Sequence, residues 1–383
     1  MKKSFSLSLV IATPMALALS SISIAAPQVD SLRINDSGLV QISGSGFGQG
    51  PNVVLYESFK NTQVGDDNRL NLSPDIGQWV NSGGSGSLSS GADGGEDVGL
   101  VVFDTEADTR TNLVFGVQDD SGMHGLKQFQ EVFFSFDIKD EGAYPGAVSG
   151  NELSPNSSSK DAWMMFGQRG DNTQYSLDSR GEAAGHDMYI PGWTGGDFII
   201  AGNETAMRPG FSQKELRDNW AYNDWVTMMF HGKLNPEDPY GDADGFFAFV
   251  NKNAAITNHR EGGLMSDQSS DGVPPYWDRI KFNGWLRQGE AAIKRVYDNI
   301  YVAVGDNANA RVVVTDSVDL TKATRITHLV PTEWEDGSIT LQLPESAEGQ
   351  DQYLHVIDAA NEVSRPQHFC LNCPIAPRAF EVN

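Results

Sequence analysis

His231 is the side chain in this chain best placed to trade protons near neutral pH. It falls in an alternating run, Trp225, Thr227, Met229, His231 and Lys233, whose members share one face of an extended strand. Three further runs have the same character. Trp163, Met165, Gly167 and Arg169 form one, Lys281, Asn283, Trp285 and Arg287 another, and Tyr297, Asn299 and Tyr301 the last. The intervening residues are apolar: Met164 and Phe166; Val226, Met228 and Phe230; Ile280, Phe282 and Leu286; Ile300, Val302 and Val304. If the polar rows met on one surface, they would hold the groups that β-elimination on a uronate sugar needs. Arg169 or Arg287 would neutralise the carboxylate, and His231, Tyr297 or Tyr301 would remove the acidified proton and protonate the leaving oxygen. Trp225, Trp285, Lys233, Arg287 and Asn299 would bind the sugar. The plainer alternative is the solvated face of an antiparallel sheet, polar outward and apolar inward. Against it stands the cost of leaving several large aromatics in water.

Other chemistries find less support. A retaining glycosidase needs carboxylates at alternating strand positions, and Glu106-Ala107-Asp108 is the nearest run. Asp238, Asp242 and Asp244 precede Gly245 in a D-x-x-x-D-x-D-G spacing that could hold Ca²⁺. The spacing departs from the EF-hand pattern, and Asp and Gly are also ordinary turn residues. No cofactor is required by this reading, and Ca²⁺ is the metal such a cluster would take. The formal charge of -24 opposes binding to nucleic acid and to anionic membranes.

The elements that must position these residues are strands. The segment from Glu131 to Lys139 alternates, with Val132, Phe134, Phe136 and Ile138 on one face. Helical periodicity is scarce, apart from one or two turns at Ser212 to Asp218 opened by a capping-box spacing. The 40 Gly and the long polar loops point to an all-β chain. Residues 1–25 read as a secretory signal: Lys2 and Lys3, an apolar stretch, then Ser23 and Ala25. The mature chain is expected to be secreted or periplasmic, with no membrane insertion. Cys370 and Cys373, the two cysteines, are then expected to form a local disulfide in the C-terminal tail.

Two resemblances give this pattern a fold. Asn223 to Phe230 followed by Asp244 to Asn251 looks like the "W, strand, DG, strand, N" passage of concanavalin A-like jelly rolls, which include lectins and polysaccharide lyases. Tyr297-Asp298-Asn299-Ile300-Tyr301-Val302 resembles a late strand of the lyase-like members. Ile42 to Gly48 is similar to the "I-x-G-x-x-F-G" opening of the TIG/IPT immunoglobulin-like module, and strands 338–344 and 352–358 would complete it. The implied architecture is all-β, a jelly-roll sandwich inserted in or joined to a small Ig-like sandwich. Residues 29–56 plus 310–366 form the discontinuous TIG/IPT-like module, 57–309 the jelly roll and 367–383 the tail. The implied partner is polysaccharide, either cleaved by a lyase or held by a non-catalytic binding or adhesion module.

Overall fold

The alternation of the Glu131–Ala143 strand organises the molecule. In the computed structural model, Val132, Phe134, Phe136 and Ile138 are buried on one face with Val226, Met228, Phe230, Phe247 and Phe249. The structure describes residues 25–34, 38–64, 70–79, 81–85, 87–90, 98–104, 109–116, 129–143, 158–166, 185–188, 200–201, 205–207, 221, 223–234, 243–260, 265–267, 277–287, 292–342 and 352–369. The helical turn expected at 212–218 lies outside them. Among the described residues, the sole helical element is a 3-10 turn at Leu320–Lys322, and all ladders are antiparallel. No helix there is long and apolar enough to cross a membrane.

The larger sheet runs through Ala254–Arg260, Ala243–Asn251, Trp225–Leu234, Glu131–Ala143, Ala292–Val304, Val98–Asp104, Thr109–Gly116, Trp277–Arg287 and Ser158–Phe166 in hydrogen-bonded order. Neighbouring strands lie about 4.8 Å apart, so the four steps from Glu131–Ala143 to Trp277–Arg287 would span roughly 19 Å in a flat sheet. Yet the Phe136 and Phe282 rings are 5.3 Å apart, edge to face. The sheet therefore folds over on itself into two layers. Phe134, Phe136, Met228 and Phe230 face Leu113, Phe115, Ile280 and Phe282 across one core. This is a β-sandwich, as expected.

A second, seven-stranded sheet is built from both ends of the chain. Its order is Gln28–Ile34, Leu39–Ser45, Ser338–Gln342, Ile326–Glu335, Arg311–Thr315, Gln352–Ile357, Gln367–Phe369. It has its own core of Val40, Ile42, Phe47, Val312, Val314, Leu329, Ile339, Leu341, Leu354 and Val356. The Gly-rich bend after Leu39–Ser45 closes it. Gly46 and Gly48 have φ of +71 and +65, a region open to Gly at little cost. That lets Phe47 N–H reach the Asp336 carbonyl at 3.1 Å and Gly48 N–H reach Asp336 Oδ1 at 2.9 Å.

The two sheets meet on the far face of the sandwich layer. Every residue of Arg311–Thr315 is buried, because Val312 and Val314 face their own sheet while Val313 faces the sandwich. Val313, Ala323, Ile326, Val330 and Ile357 pack on Phe133, Met229, Phe246, Ala248, Val250, Tyr301 and Ala303. Met229 and Tyr301, expected on the face of an open groove, thus lie in a buried seam.

Candidate functional site

The expected row Tyr297, Asn299, Tyr301 is broken by the backbone. The ladder with Glu131–Ala143 shifts register between Ser135, opposite Tyr301, and Asp137, opposite Asp298. Asn299 takes up the extra residue at φ +48. A one-residue slip sends side chains to the other face. Tyr297 consequently enters the sandwich core with Ile300 and Val302, while Tyr301 points into the seam. The two tyrosines do not share a surface, and neither is open to a polymer, both being 1% exposed or less. Burial raises the Tyr301 hydroxyl well above its ordinary pKa, outweighing the opposing effect of the Arg311 charge.

His231 is on the predicted face but is covered, at 8% exposed. Its Nε2 lies 2.9 Å from Glu131 Oε1, and Lys233 Nζ lies 3.1 Å from Glu131 Oε2. The Phe246 ring packs beside the imidazole at 5.6 Å. A histidine held this way fixes the end of two strands rather than meeting a sugar proton. Lys233 is exposed and tied to the same carboxylate. The expected catalytic trio of His231, Tyr297 and Tyr301 is therefore corrected: one lies in the core and two in the seam.

Arg169 lies outside the described residues, as do the side chains of Trp285 and Arg287. The strand carrying Trp285 and Arg287 belongs to the opposite sandwich layer, since its Ile280 and Phe282 enter the shared core from the other side. Asp238, Asp242, Cys370 and Cys373 also lie outside the description. Asp244 is exposed opposite Lys233, and among the described residues no three His, Cys, Asp or Glu side chains are grouped to hold a metal.

What the structure brings together is a shelf just past the seam. Asp137, Trp225, Thr227, Val250, Asp298 and Asn299 line a shallow pocket rimmed by Thr324, Arg325 and Ile326 of the second sheet. Trp225 is half-buried, with the Lys139 ammonium 4.9 Å from the ring centroid. Gly99 lies beside the tip of the indole, where a Cβ would sit 3.3 Å from Cη2. Thr227 Oγ1 donates to Asp137 Oδ1 at 2.6 Å and Asn299 Nδ2 to Asp137 Oδ2 at 2.9 Å. Tyr56 donates its hydroxyl to Asn299 Oδ1 at 3.2 Å, and Asn299 N–H donates to Asp298 Oδ1 at 2.7 Å. Burial, then the charges of Asp298, Asp75, Asp137 and Glu57, raise the Tyr56 pKa far above its ordinary value, so it remains a donor.

The bulge that removes the tyrosines thus creates the shelf, by presenting Asp298 and Asn299 together. Of its residues, Trp225 and Asn299 were expected. Asp137 and Lys139 were legible as the polar phase of Glu131–Lys139, and Tyr56 carried no signal in its spacing.

No protein-family model matches the chain, and no curated protein matches it. Solved structures with which it shares features are concanavalin-like jelly-roll lectins and polysaccharide lyases. The PL-14 alginate lyase from Aplysia kurodai is 10% identical over 59% of this chain and 90% of that chain, with a TM-score of 0.33. The endo-β-1,4-glucuronan lyase from Trichoderma reesei is 11% identical over 59% and 91%, with a TM-score of 0.31. The Ca²⁺/Man2-bound exoplasmic/lumenal domain of VIP36 is 11% identical over 66% and 87%, with a TM-score of 0.32. At these levels the likeness bears on neither reaction nor ligand.

Proposed function

We propose that this chain is an exported carbohydrate-binding protein that holds glycan on the Trp225 shelf without cleaving it. The observation that carries the proposal is a partly exposed indole beside a fixed set of hydroxyl, amide and carboxylate groups. A flat ring accepts the apolar face of a sugar, and convergent polar groups fix its hydroxyls. Asp137 and Asn299 are already oriented by Thr227 and Tyr56, so ligand binding costs little ordering. The binding reading is preferred to the lyase reading because His231, Tyr297 and Tyr301 do not meet and are not accessible.

Three structural proposals accompany it. The second sheet forms a TIG/IPT-like module that buttresses the jelly roll; its expected bounds of 29–56 and 310–366 shift, because Asn52–Glu57 pairs with Ala292–Val304 of the sandwich and Gln367–Phe369 joins the second sheet. Residues 1–25 direct export, and Cys370 and Cys373 pair in the tail. Retention on gels containing neutral and uronate polysaccharides tests the function, with ultraviolet absorbance of the soluble fraction as a check for unsaturated products. Retention without new absorbance is expected. Release of unsaturated uronates would overturn the binding reading, and no retention by any glycan would overturn the shelf as a sugar site.

A further inference from the structure

The seam holds a group of polar side chains that the glycan site does not use. Arg311 is buried there, with Cζ 5.0 Å from the Phe133 ring and 5.4 Å from the Phe246 ring. Its Nη1 donates to the backbone carbonyl and Oδ1 of Asn309 at 2.6 and 2.7 Å, and Nη2 donates to Asn361 Oδ1 at 3.0 Å. All these partners are neutral. Among the described residues no carboxylate pairs with Arg311, and its Nε–H has no acceptor. A buried guanidinium without a counter-charge is costly.

Around the same Phe133 ring stand Tyr301 at 6.0 Å and His328 at 5.5 Å, stacked on each other at 5.6 Å. The Tyr301 hydroxyl and His328 Nε2 are also buried without partners. The His328 tautomer follows from Ser135. The buried Ser135 hydroxyl lies 3.1 Å from His328 Nδ1, its one hydrogen-bond partner among the described residues. Its proton is satisfied only if it donates to Nδ1, which leaves the imidazole proton on Nε2. Among the described residues, the group around the Phe133 ring therefore offers Arg311 Nε–H, Tyr301 O–H and His328 Nε2–H as donors, with one positive charge and no acceptor for these three, while the Glu131 carboxylate at the strand end is held by His231 and Lys233.

An acceptor-only ligand of one negative charge complements that set. Water would bring two protons of its own into a place that offers donors. We propose that the seam binds a small monovalent anion of the halide class, held by Arg311, Tyr301 and His328, which clamps the second sheet onto the sandwich. Tyr301 comes from the sandwich and Arg311 and His328 from the second sheet, so the ion would bond both halves.

A ligand bound only by the folded state raises stability with its concentration. The full chain is unfolded thermally at constant ionic strength while sodium gluconate is exchanged for sodium chloride. The expected result is a midpoint that rises by on the order of 2 °C per tenfold increase in chloride. Tyr301→Phe, which removes one donor at nearly constant volume, should lose at least half of that rise while remaining folded. Equal midpoints in both salts, or an unchanged rise in Tyr301→Phe, would overturn the proposal. Crystals soaked in bromide give an independent readout. An anomalous peak within hydrogen-bond reach of Arg311 Nε, Tyr301 Oη and His328 Nε2 supports the site. A water or no density there, with bromide elsewhere, overturns it.

Discussion

The seam and the shelf are two stretches of the same strands, and they differ in what covers them. Glu131–Ala143 contributes Glu131, Phe133 and Ser135 to the seam and Asp137 and Lys139 to the shelf. Trp225–Leu234 contributes Met229 and His231 to the one, Trp225 and Thr227 to the other. Over the first stretch lies the second sheet. Over the second, among the described residues, the rim of Thr324 to Ile326 approaches. Chemistry-bearing residues in one row can thus be buried in a seam at one end and line a shallow pocket at the other.

The comparison is broken most severely by opening the seam. Phe133 is fully buried against Phe246, Tyr301, His328 and Arg311. Phe133→Ala is expected to cost about 3–5 kcal/mol, measured by urea unfolding. A loss below about 1 kcal/mol would mean that the sheets are not packed there.

Acid should act on the seam next. Burial first, then the Arg311 charge, lowers His328 to about 3 from 6.5. Burial also lowers His355, against the opposing pulls of the Ser317 carbonyl and Asp319. A depressed histidine is neutral in the fold and charged in the unfolded chain, so its contribution is complete above pH 6.5 and is lost as pH falls toward 3. Glu57 has the opposite sign: burial raises its pKa, so that its contribution is lost as pH rises above its ordinary value. The His328 effect is expected at about 1.4 kcal/mol per pH unit below its unfolded pKa. His328→Gln should flatten the dependence of the urea midpoint on pH between neutrality and about 4.5. An unchanged slope would place the acid sensitivity elsewhere.

On the shelf, Asp137→Asn keeps the shape but weakens the acceptor for sugar hydroxyls and for Thr227. Glycan affinity should fall about tenfold, near 1.4 kcal/mol, by isothermal titration with the best-retained polymer. Unchanged affinity would remove Asp137 from the contact set. The smallest effect is expected from replacing Cys370 and Cys373 together with Ser, which should leave glycan retention unaltered on the same gels. Lost retention would tie the tail to the shelf.

The sandwich was legible in the sequence because one phase of Glu131–Lys139 and of Trp225–Lys233 is apolar throughout, and that phase enters the shared core. The joining of the two ends was legible in the short strands and the bend at Gly46 to Gly48. The site was legible only in part, for two physical reasons. Tyr297 and Tyr301 keep an even spacing in sequence, but Asn299 enters the left-handed region and inverts the phase between them. Asn is among the residues that tolerate this, yet nothing in the string marks this Asn over others. His231 has the right phase, but the Glu131 carboxylate and Phe246 ring that hold it come from the neighbouring strands, which alternation within one strand does not register.

The most direct test compares Trp225→Ala with His231→Ala on one immobilised glycan, with urea unfolding of both proteins alongside. The account predicts that Trp225→Ala loses retention tenfold or more while staying folded. His231→Ala, which leaves the buried Glu131 carboxylate with Lys233 alone, should lose stability by about 1–3 kcal/mol and retain the glycan once folded. Full retention by Trp225→Ala together with lost retention by folded His231→Ala would contradict the assignment of shelf and seam.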